Sequence, residues 1–156
     1  MIEVNERIDV LAPPDAVWAL LSDPRAVVDC VPGASLGDAH EDGSLDAVTI
    51  IKFGPIKVTF KAKVALELDP ASKTGKVTSK GRDNQGGTKF NANMSFGVLG
   101  APGAAGSIID IKATVEIFGR LASVVEGGAS LVVKYMTNEF SKRLAARFAE
   151  RTEAHV

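Results

Sequence analysis

The sequence predicts an α+β fold in which a curved antiparallel sheet of about seven strands wraps around one long C-terminal helix, with two short helices after the first strand. Three observations predict it. From Ile56 to Leu68 every even position is apolar and nearly every odd one polar, the signature of an antiparallel strand with one wet face. The same alternation recurs in Phe90, Ala92, Met94, Phe96 and Val98, and again in Ile109, Ile111, Ala113, Val115 and Ile117. From Arg120 the period changes: Leu121, Val125, Gly128, Ala129, Val132, Met136, Phe140, Leu144 and Phe148 recur three or four residues apart. That spacing predicts an amphipathic helix of about 30 residues, roughly 45 Å long. Neither a helix stripe nor a sheet face is stable uncovered, and each is the natural cover for the other.

The elements follow in order. Ile2, Val4, Ile8 and Val10 alternate as a first strand. Ala12-Pro13-Pro14-Asp15 stops it and opens a short helix, Ala16 to Leu21, because proline suits a first helical turn and an acidic residue there suits the helix dipole. Ser22-Asp23-Pro24 ends that helix. A second, Arg25 to Cys30, is stopped by Val31-Pro32-Gly33. Strands fill Ser35 to Val98, punctuated by Asp42-Gly43, Gly54-Pro55, Asp69-Pro70, Thr74-Gly75 and Gly86-Gly87. The run 99–106, with three glycines and a proline, reads as a loop. The parity predicts that Phe60, Phe90, Met94, Phe96, Ile109, Ile111 and Val115 point toward the helix while Lys61, Asn91, Asn93, Asp110 and Lys112 face water. Trp18 and Leu21 are expected to anchor the first short helix against the sheet or the long helix.

Composition narrows the function classes. The chain has 156 residues, enough for one domain with a real core, and the expectation is a single domain over 1–156. Eighteen basic residues against nineteen acidic ones leave a net charge of −1, so a nucleic-acid partner is not expected. A single cysteine excludes an intrachain disulfide, and with two distant histidines it forms no zinc pattern. No apolar run approaches the ~20 residues of a membrane span. The N-terminus alternates from the start and shows no secretory signal. The expected location is cytoplasmic, or peripheral on the inner face of the cell membrane.

No catalytic residue is expected. The inward parity positions show no Ser/His/Asp or Cys/His set and no paired carboxylates; Asp110 and Glu116 share the wet face. His40 falls in a loop and His155 at the end of the chain. Cys30 reads as a small buried hydrophobe. The glycine-rich stretches lack phosphate-loop spacings. Lys57, Lys61 and Lys63 line an outward strand face that is solvated or docks to anionic lipid or a partner. At Gly127-Gly128, two readings stand: close approach of the helix to a filled core, or a void left for a ligand. On the second, Gly128→Leu would fill the void at no cost in stability.

Four local motifs together resemble the carbon monoxide dehydrogenase G-subunit family of the START-like (SRPBCC) superfamily, which has the helix-grip fold. They are Cys30-Val31-Pro32-Gly33-Ala34, Phe53-Gly54-Pro55-Ile56-Lys57-Val58-Thr59-Phe60, Gly81-Arg82-Asp83 through Gly86-Gly87-Thr88, and Phe118-Gly119-Arg120-Leu121-Ala122. The resemblance implies an accessory protein of molybdenum hydroxylase-type oxidoreductases, linked with recruiting the enzyme to the membrane. It brings no catalytic residue, metal or resident cofactor. Loop 99–106 is longer and richer in glycine than the family leads one to expect. Family members often continue into a membrane-seeking tail, whereas this sequence ends at Glu153-Ala154-His155-Val156.

Such dehydrogenases deliver electrons to a quinone pool confined to the bilayer. The expectation is therefore a non-catalytic carrier of an apolar ligand, a quinone such as menaquinone or ubiquinone held as cargo, that meets the membrane surface transiently. The expected cavity is lined by Val58, Phe60, Phe90, Met94, Phe96, Ile109, Ile111, Val115, Val125, Gly128, Ala129, Val132 and Met136. The alternatives are a docking module with a filled core and no cargo, or a START-like cyclase or dehydratase, which needs an acid or base inside the cavity.

Overall fold

A computed structural model describes residues 1–53, 55–85, 87–100 and 106–154, with side chains as far as residue 149. In chain order it contains β1 (Ile2–Val10), α1 (Pro14–Leu21), α2 (Pro24–Cys30), β2 (Ala34–Ala39), β3 (Leu45–Phe53), β4 (Ile56–Asp69), β5 (Thr74–Asp83), β6 (Thr88–Gly100), β7 (Ser107–Gly119) and α3 (Ala122–Ala154). The seven strands form one curved antiparallel sheet in the order β1-β7-β6-β5-β4-β3-β2. The predicted fold class and element order are those observed. The boundaries shift slightly: β6 continues through Leu99 and Gly100, and α3 begins at Ala122 and runs 33 residues. Most of the expected loop, residues 101–105, lies outside the described residues.

Continuous register through the five strands β1, β7, β6, β5 and β4 aligns inward side chains into rows. One row runs Val4, Ala113, Met94, Val77, Leu66; the next runs Ile2, Val115, Ala92, Ser79, Val64. A strand's side chains alternate faces, so these rows share the concave side with Ile109 and Phe60. The expected parity holds for Lys61, Asn93 and Lys112, which are exposed, whereas Asn91 and Asp110 are half-buried on the outward face. Arg7 lies 3.6 Å from the Asp110 carboxylate across the β1–β7 pair and covers part of it. Met94 departs from expectation in the other direction. It points inward and is still 38% exposed.

Two glycines of β5 shape the concave face. A Cβ on Gly75 would fall inside the Phe96 ring, and one on Gly81 would strike the Phe90 ring and the β4 backbone. Each aromatic therefore folds down over the glycine that is its cross-strand partner. Phe90 in turn meets Phe60 edge-on at 5.4 Å, and Trp18 of α1 lies over Phe96 at 6.1 Å, tilted by 33°. Trp18 and Leu21 pack against the core on the sheet side, the first of the two expected positions, with Trp18 half-buried.

Three of the four motifs that carry the family resemblance are structural devices. Gly33 sits at φ 77°, and a Cβ there would run into the Ile50 carbonyl; the close approach lets the Ile50 N–H donate to Gly33 O at 3.0 Å. At the sheet-to-helix junction, the Thr88 N–H donates to Asp83 Oδ1 (3.0 Å) and the Leu121 N–H donates to Thr88 Oγ1 (2.9 Å). Arg120 N–H donates to Gly87 O at 2.9 Å, and Gly119, at φ 109°, clears that same carbonyl. Asp83 and Thr88 are buried, so this relay fixes where α3 leaves the sheet. Thr88→Val, which keeps the shape and strands a backbone donor, is expected to cost about 1–3 kcal/mol. Urea unfolding of the two proteins measures it.

Candidate functional site

The hydrophobic core is in two parts, one toward each end of α3. The first gathers Ile8, Val10, Val17, Leu20, Ala26, Cys30, Val98, Ile109, Leu144 and Phe148, with Phe140 and Ile111 against it. The second gathers Phe53, Val58, Phe60 and Val125, with Phe90, Ile117, Leu121 and Val132 against it. One helix stripe serves both. Val125 and Val132 reach the second core, Phe140, Leu144 and Phe148 reach the first, and Met136 falls midway, four residues from each. The α3 backbone lies nearest β1, β3 and β7 of the sheet, and the central strands β4–β6 reach it through long side chains such as Phe60 and Phe90.

Between the two cores lie the concave rows described above. Met94 is 38% and Leu66 37% exposed there, and Val77, Ala92, Ala113 and Val115 are only half-buried. Across from them Ala129 and Met136 of α3 are half-buried too. Neither core includes any of these residues. These inward apolar side chains are left partly exposed and outside both cores. A depression of about 430 Å³ runs along Val4, Ala113, Met94 and Val77 and their strand neighbours, and one of about 590 Å³ along Leu68, Gly75 and Phe96 and theirs; α3 contributes no wall to either.

The expected site residues divide accordingly. Val58, Phe60, Val125 and Ile109 are buried inside the two cores, with Phe90, Val132 and Ile111 packed against them. Met94, Val115, Ala129 and Met136 are partly exposed and belong to neither core, and Phe96 lies under Trp18. Leu66, Val77 and Ala113 belong with them. The alternation marked these three as inward; only the register shows that they stand in one row with Met94.

Gly128 resolves in favour of close approach. A Cβ there would stand 3.1 Å from Phe53 Cδ1, so Gly128 is the contact by which α3 reaches β3. Nothing lies within 4 Å of the Cβ position on Gly127. Gly127→Ala is expected to raise stability by about 0.5–1 kcal/mol through helix propensity alone. Gly128→Leu, in contrast, is expected to lose about 1–3 kcal/mol by overpacking on Phe53. Chemical denaturation of both variants checks the pair.

The expectation of no inward acid needs correction. Glu6 shares the concave face of β1 with Val4 and Ile8 and is half-buried, with no ion pair or hydrogen bond among the described residues. The apolar alternation of β1 breaks at that position, which was the available signal. Asp83 is also inward and buried, but its carboxylate is occupied by the Thr88 N–H. His40 is exposed and its Nε2 lies 2.8 Å from Asp46 Oδ1. Cys30 is fully buried, and desolvation raises its thiol pKa, with Arg147 opposing; it behaves as a hydrophobe. Among the described residues no cluster of histidine, cysteine or carboxylate groups could hold a metal ion. No described helix is long and apolar enough to cross a membrane.

Comparison with known families gives the decisive match: residues 7–149 fit the carbon monoxide dehydrogenase G-subunit (CoxG) family. The chain belongs to the CoxG family. Among solved structures, a conserved protein from Geobacillus kaustophilus is similar with a TM-score of 0.81 at 20% identity, over 96% of each chain. A START superfamily protein from Mycobacterium smegmatis aligns with a TM-score of 0.57 at 16% identity, covering 91% of this chain and 96% of its own. The Zhui aromatase/cyclase from Streptomyces sp. R1128 aligns at 0.64 and 13%, covering 97% and 95%. At these identities the likenesses establish the START-like fold that this CoxG-family chain shares. No curated protein matches it.

Proposed function

We propose that this CoxG-family chain is a non-catalytic carrier whose apolar hollow holds a lipid-soluble quinone, and that it links a carbon monoxide dehydrogenase-type molybdenum oxidoreductase to the membrane. The observation that carries the cargo reading is the divided core. A helix and sheet evolved only to pack would close over Met94 and Leu66, because each exposed apolar side chain forgoes on the order of 1–2 kcal/mol of burial. The side chains facing the space are almost all aliphatic, which suits a prenylated ring and offers little to a polar metabolite. The family match supports the client enzyme class.

Native mass spectrometry of the purified chain, followed by titration of extracted protein with menaquinone, tests this reading. A stoichiometric adduct of prenylquinone mass is the expected result. Protein that carries no lipid and takes none up leaves docking without cargo as the function.

Glu6 favours a second reading. An inward, unpaired carboxylate is what a START-like cyclase or dehydratase requires as a general base, and the Zhui structure, of the same fold, is named an aromatase/cyclase. For the carrier, the same group would accept a hydrogen bond from a quinol hydroxyl. Glu6→Gln separates the two: loss of turnover of a cyclisable polyketide points to the enzyme, whereas an unchanged quinone stoichiometry with no turnover in either protein supports the carrier.

A further inference from the structure

One part of the outward sheet face, on β3–β6, gathers positive charge. Register places Lys61 of β4 opposite Arg82 of β5, and Arg82 opposite Lys89 of β6, so three cations stand in one row across three strands. In the adjacent row Lys63 stands opposite Lys80, with Asp46 and Glu116 at that row's two ends, and at the β3–β4 end Lys52 stands opposite Lys57. All seven side chains belong to exposed residues. Like charges facing each other across a strand pair repel and destabilise the sheet. Of the seven, Lys63 alone has an ion pair among the described residues, with Asp42 at 3.2 Å. The chain as a whole carries a net charge of −1, so this is segregation rather than excess.

Two exposed apolar side chains border the row. Phe118 of β7, 51% exposed, is the outward neighbour of Lys89, and Ile50 of β3, 41% exposed, lies on the same outward face near Lys61. Six of the seven cations are lysines. Protein–protein interfaces favour arginine and are depleted of lysine. A layer of lipid phosphates, by contrast, is met well by flexible point charges, with an aromatic ring settling at headgroup depth.

From this arrangement we infer that the Lys61–Arg82–Lys89 face docks the chain onto an anionic bilayer surface. The inference deepens the membrane link in the proposed function and rests on it, but it does not require a cargo. Docking is electrostatic, reversible and released by salt, because attraction to the leaflet falls off within a Debye length.

Flotation of the full chain with vesicles tests it. Phosphatidylcholine vesicles containing about 30 mol% phosphatidylglycerol are compared with phosphatidylcholine alone, without quinone, at low salt and at about 0.5 M NaCl. Expected is binding to the anionic vesicles only, lost at high salt. The triple variant Lys61→Gln, Arg82→Gln, Lys89→Gln is expected to bind about a hundred-fold more weakly, at several-fold per cation. It should melt no lower than the parent, because a repulsive row has been removed. Lys134→Gln with Lys142→Gln on α3 should leave binding unchanged. The inference is overturned by no binding to anionic vesicles, by equal binding to neutral ones, by a triple variant that floats like the parent, or by tighter capture on a duplex oligonucleotide. Ala113→Phe, which fills the hollow, is expected to float normally, so loss of cargo and loss of docking read out separately.

Discussion

Ala113→Phe is expected to abolish menaquinone uptake while leaving the melting temperature of the lipid-free protein within a few degrees of the parent. Ala113 lies in the concave row between Val4 and Met94 and is half-buried beside a 38%-exposed methionine. A phenyl ring placed there enters the space assigned to the ligand. In an empty apolar hollow the ring gains burial, which offsets the steric cost. In a filled core the same ring forces off-rotamer neighbours and costs about 1–3 kcal/mol. Thermal melts of extracted protein and a quinone titration, run side by side, give two signs to read. A strongly destabilised variant, beside a parent that binds nothing, would sink the carrier and leave cargo-free docking.

The second large effect is a contrast between two truncations. Leu144→Ala is expected to cost about 3–5 kcal/mol, and Met94→Ala below about 1 kcal/mol. Leu144 is fully buried where α3 meets the core of β1, α1 and α2, so its removal leaves a cavity that rigid neighbours cannot close. Met94 projects from the same concave surface but already faces open space. Equal losses at the two positions in urea titrations would mean that the core is continuous and that no hollow exists. A small loss at Met94 together with a large one at Leu144 is the energetic form of the divided core.

These two variants also bear on how the chain balances stability against binding. The cores at the ends of α3 are closed by aromatic rings folded over Gly75 and Gly81, by the Gly128–Phe53 contact and by the Asp83–Thr88–Leu121 relay. The motifs by which the family is recognised fall at those ends and junctions. They therefore mark the fold and not a ligand.

Much of this was legible in the residues. Period-two alternation in β4, β6 and β7, followed by a three-to-four spacing in α3, determined the sheet, its inward side chains and its covering helix, because burial of one face imposes those periods. The four motifs were enough to indicate the family. What the alternation does not encode is register. Parity says that Met94 and Ala113 point inward; strand pairing alone says that they stand beside Val4, Val77 and Leu66. The same holds outside, where Lys61 and Lys63 read as an outward face, yet their alignment with Arg82, Lys89 and Lys80 depends on which strands pair. Gly128 shows the limit most clearly. Glycine in a helix means that something needs the space, and sequence cannot say whether that is a ligand or a neighbouring ring. The position of Phe53, 75 residues earlier in the chain, decided it, because distance in space between remote residues is fixed by packing and not by local pattern.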